Sequence, residues 1–277
     1  MYRLKDMVKY AIGSVAERVN PGIAADIDAA RNTDKAVKIK HFILFARLQK
    51  AKTSGDEEAV ERALAAFWKG NSGDIFHRQH TNIRFNLFRE KHYSVIEALT
   101  ELLEEKKGQF HRLIEIGCGD GRALVHCFKE LPGITTAIGL DINAAIIEQI
   151  SEEFKNIEGL SFAEADGTEW LAAHPGGGTV LFANAGVLEY FSPENFDKLL
   201  STLAAYSPAA IALVEPASPD HDLENDTESR VFGYENSFSH NHRYRLAAAG
   251  FDILHARDLV IGSTRWILML GLHRGDR

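Results

Sequence analysis

Five short apolar runs after residue 110 constrain the fold more than any other feature. Each run is four or five residues long, and stretches of roughly a dozen residues with helical spacing separate them. Short, continuous apolar strands that alternate with helices are typical of a parallel sheet covered on both faces. The runs occupy residues 113–116, 136–140, 160–163, 179–182 and 210–214. The sequence therefore predicts a doubly wound α/β domain.

Two further strands are predicted near the carboxyl terminus, over residues 251–261 and 265–272. Only Gly262-Ser263-Thr264 joins them. Because so short a connection cannot cross a sheet, these two strands must run antiparallel to each other. The predicted fold is a seven-stranded, mostly parallel sheet with a C-terminal antiparallel strand, preceded by an N-terminal helical cap.

The cap is predicted from the first part of the chain, which has no alternating strand pattern. Apolar residues recur there with helical spacing, most strongly over residues 87–107. Charge separates the two parts as well. Residues 1–110 carry 19 basic and 15 acidic groups, a net +4, whereas residues 111–277 carry 12 and 24, a net −12. We therefore expect a helical cap and connecting helix in residues 1–107 and an α/β domain in residues 108–277.

Charge and cysteine content also limit the function classes. The whole chain has 31 basic and 39 acidic residues, a net charge of −8. Such a balance argues against nucleic acid or an anionic membrane as a partner, and no apolar stretch approaches the ~18 residues of a membrane span. Two cysteines, Cys118 and Cys127, exclude a disulfide framework, and the amino terminus lacks the apolar core of a secretory signal. We expect a cytoplasmic protein.

The sharpest local motif is Gly117-Cys118-Gly119-Asp120-Gly121, which follows the first strand and opens a helix. Glycines there let the backbone turn tightly and approach a ligand, although packing alone can also require such a turn. Asp141 and Asp166 end the second and third strands. Ligands of open parallel sheets bind at these strand ends, where an acid in the position of Asp141 accepts hydrogen bonds from ribose. The motif therefore predicts a nucleoside-containing cofactor.

These residues resemble the class I S-adenosylmethionine-dependent methyltransferases over about residues 105–274. Glu115-x-Gly117-x-Gly119-x-Gly121 is similar to the first motif of that family, and Ala183-Asn184-Ala185-Gly186 is similar to a later one. The resemblance implies a Rossmann-like transferase that uses S-adenosylmethionine, with Asp141 on the ribose, Asp166 on the adenine and Asn184 facing the sulfonium. The implied cofactor-binding residues are Glu115, Gly117, Cys118, Gly119, Gly121, Asp141, Ile142, Asp166, Gly167 and Asn184.

Two other ligand classes compete with this interpretation. A dinucleotide-binding loop has the pattern G-x-G-x-x-G/A, and here the third glycine comes one residue too early, so an NAD-dependent dehydrogenase is the minor alternative. A metal site is suggested only by the spacing of His77 with His80 and of His240 with His242. Neither pair has a cysteine or carboxylate partner nearby in the sequence. No metal is predicted.

Candidate catalytic residues follow the fourth and fifth strands. A hydroxyl acceptor would need a general base, whereas a neutral amine would not. Glu189, Glu215 and His240 are the candidates. Anchoring of a loop is the structural alternative for Glu215, and capping of the following helix is the alternative for His240. Arg84, before the connecting helix, is predicted to pair with the methionine carboxylate or an anionic substrate, with a solvated arginine as its alternative.

The resemblance implies methyl transfer, and the acidic α/β part with a large cap favours a small-molecule acceptor. The predicted reaction is S-adenosylmethionine-dependent methylation of an oxygen or nitrogen atom of a sugar or secondary metabolite. Methylation of protein or RNA, or a non-catalytic cofactor-binding module of the same fold, are the alternatives. The helical cap would enclose the site or form a homodimer contact.

Overall fold

The computed structural model describes residues 4–28, 37–70, 84–233 and 235–275. Its backbone contacts group the chain into two compact units. The first comprises residues 1–79 with 233–237, and the second comprises residues 80–232 with 238–277. The sequence predicted a division after residue 107, whereas these contacts group residues 80–107 with the sheet. A functional division between cap and catalytic domain stays a prediction.

The described residues of the first unit are mainly helical. Its helices are α1 (Leu4–Val19), α2 (Pro21–Asp28), α3 (Val37–Ser54) and α4 (Glu57–Lys69). The predicted break at residues 20–22 is only one residue long, because Pro21 begins α2, a position where proline is favoured. Asp56 starts α4 by accepting a hydrogen bond from the Ala59 amide.

The described part of the second unit begins with a helical segment over residues 84–87, a π-helical turn over Phe88–His92, and α5 (Ser94–Glu105). The apolar face of α5 explains why this segment belongs to the second unit. Val95, Leu99 and Leu102 lie in the same buried cluster as residues of the central strands. Gly108, at φ +80°, follows the end of the predicted helix.

A seven-stranded sheet forms the core of the second unit. Its strands lie in the order β3-β2-β1-β4-β5-β9-β8. The first five in that order are parallel, and β9 is antiparallel to both β5 and β8. The strands are β1 (Arg112–Ile116), β2 (Thr136–Asp141), β3 (Leu160–Glu164), β4 (Thr179–Asn184), β5 (Ala209–Ala217), β8 (Asp252–Ile261) and β9 (Thr264–His273). The predicted fold class is confirmed.

Helices follow the strands and cover the sheet. They are α6 (Arg122–Glu130), α7 (Ala144–Glu153), α8 (Gly167–Ala173), α9 (Pro193–Ala204) and α10 (His242–Ala248). Side chains of successive residues in a strand enter different cores: Leu113 lies in one buried cluster and Ile114 in the other. A separate small sheet, which the sequence did not predict, pairs β6 (Arg230–Phe232) with β7 (Ser237–Ser239).

The register of the central strands brings their carboxyl ends to one edge. Ile116 pairs with Leu140 of β2 and with Ala183 of β4. The glycine loop, Asp141 and Asn184 therefore follow neighbouring strands at the same edge, as ligand sites of open sheets require. Among the described residues, no helix is long and apolar enough to cross a membrane.

Candidate functional site

The glycine loop after β1 has a backbone that residues with a side chain rarely adopt. Gly117, Gly119 and Gly121 have φ angles of +64°, +50° and +72°. Packing adds a second constraint, because a Cβ on Gly117 would lie 2.6 Å from the side chain of Val187, and one on Gly121 would lie 3.0 Å from the Phe162 ring. Both backbone conformation and close packing therefore require glycine here.

Asp141 connects the end of β2 to this loop. Its Oδ2 accepts a hydrogen bond of 3.0 Å from the amide of Gly119, and its Oδ1 accepts one of 3.0 Å from the amide of Asn143. The Cys118 amide donates to the carbonyl of Leu140, also at 3.0 Å. Each carboxylate oxygen can accept a second hydrogen bond. Asp141 therefore fixes the loop and keeps acceptor capacity for a ligand, and Ile142 follows it directly.

Asp166 starts α8 after β3. Its Oδ1 accepts hydrogen bonds from the amides of Thr168 and Glu169, at 2.9 and 3.0 Å. The side chain is partly exposed. Gly167 is buried, and a Cβ there would lie 2.8 Å from the side chain of Ile116. Asp166 thus uses one carboxylate oxygen to cap α8. It lies at the carboxyl end of β3, where the family resemblance implies a contact with adenine.

Glu115 is the buried acid of the glycine motif. It is 2% exposed, and its Oε2 has no hydrogen-bond partner in the part of the chain that the structure describes. Burial raises the pKa of this carboxyl well above its usual range, and the charges of Asp120 and Asp141 add to the shift. Arg84 and the Leu124 amide oppose it. Such an oxygen is suited to accept a hydrogen bond from a cationic ligand group.

The turn after β4 also has an unusual backbone. Ala185 has a φ of +64°, which is uncommon for a residue other than glycine, and Gly186 has a φ of +85°. Nη2 of Arg84 donates a hydrogen bond of 2.8 Å to the carbonyl oxygen of Ala185. Arg84 is partly buried. The structure therefore places Arg84 at the strand edge, rather than as the solvated arginine of the alternative interpretation.

Glu215 anchors the same turn from the end of β5. The Val187 amide donates to both of its carboxylate oxygens, at 3.1 and 3.0 Å, and the Glu189 amide donates to Oε2 at 3.2 Å. Glu215 is fully buried, and burial raises its pKa from 4.5 to about 7 even though these amides and Arg84 oppose the shift. These contacts describe the loop-anchoring alternative for Glu215, and its role as a base stays a prediction.

His240 also has a structural environment. It is fully buried, its Nδ1 lies 2.6 Å from Oγ of Ser229, and its Nε2 lies 3.1 and 3.2 Å from the carbonyl oxygens of Leu188 and Phe191. A neutral ring that donates from Nε2 satisfies all three contacts. Burial lowers its pKa well below the usual value. These bonds favour an anchoring role for His240.

Glu189 lies in the short 3₁₀ helix Leu188–Tyr190, next to Glu215. It is 9% exposed. A Cβ on Gly186 would come 2.5 Å from its Oε1, so the carboxylate lies directly against the left-handed turn after β4. The structure thus brings Glu189, Glu215 and Arg84 to the same turn.

The sequence analysis missed His92. Its ring is completely buried, 4.8 Å from the ring of Trp266 and beside the Asn184 side chain. Neither ring nitrogen has a hydrogen-bond partner among the described residues, and the same holds for Oδ1 of Asn184. Burial lowers the pKa of His92 to about 4, and the Asn184 amide opposes this shift. A neutral imidazole therefore lies next to the candidate motif after β4.

A sequence signal for His92 exists in the spacing of its segment. Arg84, Phe88 and His92 recur every four residues, which places them on one helical face. The three side chains reach the end of one strand: Arg84 contacts Ala185, the Phe88 ring lies 6.0 Å from that of Phe182, and His92 lies beside Asn184. This face, rather than Arg84 alone, borders β4.

A metal ion has no ligand set within the described residues, where no group of three or more histidine, cysteine, aspartate or glutamate side chains is arranged to hold one. His77 and His80 lie outside those residues. His240 and His242 have their ring centroids 5.8 Å apart, and both nitrogens of His240 are close to other partners.

Residues 113–206 match a family model described as a methyltransferase domain. This range, about a third of the chain, is similar to a methyltransferase domain. The matched range contains the glycine loop, Asp141, Asp166 and the turn after β4, whereas Arg84, Glu215 and His240 lie outside it. No curated protein matches the chain in sequence.

Solved structures of a methyltransferase are similar in fold to much of this chain. The magnesium protoporphyrin IX methyltransferase from Synechocystis PCC 6803, with bound SAM, is 15% identical at a TM-score of 0.54, and the alignment covers 77% of this chain and 96% of that one. The structure of the same enzyme with bound SAH is 14% identical at a TM-score of 0.54, and the alignment covers 77% of this chain and 99% of that one. The N-methyltransferase NodS from Bradyrhizobium japonicum WM9 is 13% identical at a TM-score of 0.49, and the alignment covers 67% of this chain and 96% of that one.

The family and the fold agree with the sequence-based predictions. The predicted resemblance to class I methyltransferases is confirmed by the domain match and by the strand order. The predicted transferase class is confirmed with it, and S-adenosylmethionine is the cofactor that this family and fold imply. Structural likeness at such low identity reaches the fold and no further, so the acceptor has to be argued from the site.

Proposed function

We propose that this protein transfers the methyl group of S-adenosylmethionine to an oxygen or nitrogen atom of a small molecule. One observation carries the proposal. A methyltransferase domain holds three left-handed glycines and two carboxylates, Asp141 and Asp166, at adjacent strand ends. That arrangement suits a ligand that combines a nucleoside with a charged tail.

The residues at the edge of the sheet fit both ends of such a cofactor. Asp141 would accept from the ribose hydroxyls, and the partly exposed Asp166 would accept from the adenine amino group. For the amino acid end, Glu115 offers an unpartnered carboxylate oxygen and Arg84 offers a guanidinium close to it. An amino acid group needs one acceptor and one cation, which these two side chains supply.

When bound, S-adenosylmethionine supplies an already activated methyl group, so the protein chiefly has to orient the acceptor and exclude water. The turn after β4 is built for that task. Arg84 holds the carbonyl of Ala185, and Glu215 holds the amides of Val187 and Glu189. These bonds fix the backbone next to Asn184, the residue that the family resemblance turns toward the acceptor.

The contacts around the candidate bases bear on the acceptor atom. Glu215 and His240 are both bound to backbone groups, and Glu189 lies against the left-handed turn after β4. All three stay candidate bases for a hydroxyl acceptor. A neutral amine acceptor would need no base. The acidic balance of residues 111–277, a net −12, supports a small-molecule acceptor over RNA.

A label-transfer experiment tests the proposal. Purified protein and S-adenosylmethionine with a tritiated methyl group are incubated with a cell extract, which is then separated into small-molecule, protein and RNA fractions. We expect label in the small-molecule fraction, and none there with an Asp141→Ala variant. Label in the protein or RNA fraction would show that the acceptor is a macromolecule and contradict the small-molecule proposal. If no fraction is labelled although the protein binds the cofactor normally, the result would support a non-catalytic module.

A further inference from the structure

The outward face of α1 is apolar along its whole length. Its exposed side chains are Leu4 (77%), Met7 (58%), Val8 (50%), Ile12 (45%), Val15 (59%) and Val19 (67%). Positions 4, 8, 12, 15 and 19 are separated by four, four, three and four residues, a spacing that puts them in one stripe. A 16-residue helix is about 24 Å long, so this stripe is a continuous apolar surface of that length.

The opposite face of α1, which packs on α3, carries the polar residues. Glu17 accepts a hydrogen bond of 2.6 Å from Nε of Arg47, and Nζ of Lys9 lies 5.5 Å from the centre of the Phe45 ring. Gly13 is buried there, and a Cβ at this position would lie 1.9 Å from the carbonyl oxygen of Phe42. Because close packing and polar contacts fix this face against α3, the apolar stripe has to point away from the first unit.

A surface of this kind needs a partner. Exposed apolar patches of more than a few hundred Å² are rare on monomers and mark interaction sites. We propose that the apolar stripe of α1 is an interface at which two copies of this chain pair with their α1 helices antiparallel. This inference is independent of the proposed methyl transfer.

The stripe has the symmetry that self-pairing requires. A two-fold interface uses the same patch on both copies. When α1 is laid antiparallel against itself about its midpoint, Leu4 meets Val19, Val8 meets Val15, and Ala11 meets Ile12. Every position of the stripe is thus matched by another apolar position, with the small Ala11 opposite the larger Ile12 at the centre.

The charges beside the stripe fit a second copy better than a lipid surface. Lys5 flanks one margin and Arg18 flanks the other. The two-fold axis of an antiparallel pair passes between the helices, perpendicular to the plane that contains them, and it keeps each margin on its own side, so Lys5 of one copy does not face Arg18 of the other. A helix that binds anionic lipid carries rows of lysine and arginine along its polar face, whereas the polar face of α1 includes Glu17 and packs on α3.

Sedimentation velocity over a range of concentrations tests the interface. We expect the wild type to dimerise, and Val8→Glu with Val15→Glu to weaken self-association by at least about 100-fold, because two carboxylates replace buried apolar contacts. Val260→Glu is the matched control, since Val260 is a 76% exposed valine of β8. A wild type that stays monomeric at every concentration would overturn the inference.

Cysteine cross-linking tests the orientation, and it does not depend on the stability of the glutamate variants. Single Ala11→Cys should form a disulfide-linked dimer, because Ala11 lies beside the two-fold axis. Single Leu4→Cys should not, because antiparallel pairing separates the two copies of residue 4 by roughly 22 Å. The natural cysteines, Cys118 and Cys127, are buried and leave the background low.

Three further results would contradict the proposal. Cross-linking through Leu4→Cys as efficient as through Ala11→Cys would show parallel pairing. Co-sedimentation of the wild type with phosphatidylglycerol vesicles, lost in the double glutamate variant, would assign the stripe to a lipid surface. Dimers that keep their affinity in the double variant would place the interface elsewhere.

Discussion

Arg84 donates a hydrogen bond from Nη2 to the backbone carbonyl oxygen of Ala185, 2.8 Å away and 101 positions later in the chain. Ala185 is a left-handed residue at the end of β4, so this bond stabilises a backbone that is uncommon outside glycine. Burial raises the pKa values of Glu115 in β1 and Glu215 in β5, and the positive charge of the same guanidinium opposes both increases. One cation therefore acts on the ends of three strands.

Replacement of Arg84 should weaken cofactor binding. We expect Arg84→Ala to reduce the affinity for S-adenosylhomocysteine by about 10- to 100-fold, because it removes a positive charge that acts on Glu115 and the bond to Ala185. Arg84→Lys should recover only part of the loss, since an ammonium cannot reproduce the planar fork of a guanidinium. Calorimetric titration measures both. Arg89→Ala, an exposed arginine on the same segment, is the control; equal affinity in all four proteins would show that Arg84 is structural only.

Glu215 should make stability depend on pH. Its folded-state pKa of about 7 exceeds the ordinary 4.5, so between these values the folded protein holds a proton that the unfolded chain releases. The stabilisation is complete below pH 4.5 and declines as the pH rises to 7, by up to about 1.4 kcal/mol per pH unit. Urea unfolding of wild type and Glu215→Gln from pH 5 to 8 should give a difference that falls up to about pH 7 and is flat above it. A difference that rises with pH would refute this.

His240 should matter more for stability than for proton transfer. His240→Leu removes the Nε2–H donor that the carbonyls of Leu188 and Phe191 share, although the Leu188 carbonyl keeps its bond from the Phe191 amide, and we expect a loss of about 1–3 kcal/mol in the free energy of unfolding. His240→Gln keeps an N–H donor and should lose less. Chemical denaturation measures the loss. If instead both variants fold as stably as the wild type but abolish turnover, His240 is a catalytic residue.

His92 should behave in the opposite way. Neither ring nitrogen has a hydrogen bond of good geometry among the described residues, and the Asn184 side chain beside the ring only partly opposes the effect of burial, so replacement by an apolar side chain relieves a desolvation cost. We expect His92→Leu to raise the free energy of unfolding by about 1 kcal/mol and to lower methyl transfer, the trade expected of a residue kept for function. His126→Leu is the matched control, because His126 contacts the Tyr93 hydroxyl at 3.2 Å and its loss should destabilise. If His92→Leu instead lowers the free energy of unfolding, the His92 ring has a hydrogen-bond partner in the folded protein.

The sequence predicted the sheet well because its information is local. Each apolar run became a strand, and the three-residue connection at Gly262 produced the antiparallel pair. The glycine loop could be predicted equally well, since a left-handed backbone favours glycine at those positions themselves. These features depend on residues near one another in the chain or on a strict strand period.

The candidate site could be predicted only in part, because the partners of a side chain lie far away in the sequence. Nothing near Glu215 shows that the amides of Val187 and Glu189 would use its carboxylate, and nothing near His240 shows its bonds to Leu188 and Phe191. His92 was missed for a related reason. The four-residue spacing of Arg84, Phe88 and His92 marks one helical face, but it does not show that the fold brings Asn184 and Trp266 beside the histidine.

The central claim is that the loop of residues 117–121, with Asp141 and Asp166 beside it, binds an adenosyl cofactor. Calorimetric titration of the full chain with S-adenosylhomocysteine and, separately, with NAD tests it most directly. We expect saturable binding of S-adenosylhomocysteine with one site per chain, at least about tenfold weaker in Asp141→Ala, and no heat with NAD. Binding of NAD without any binding of S-adenosylhomocysteine would contradict the account and leave a dinucleotide enzyme on the same fold.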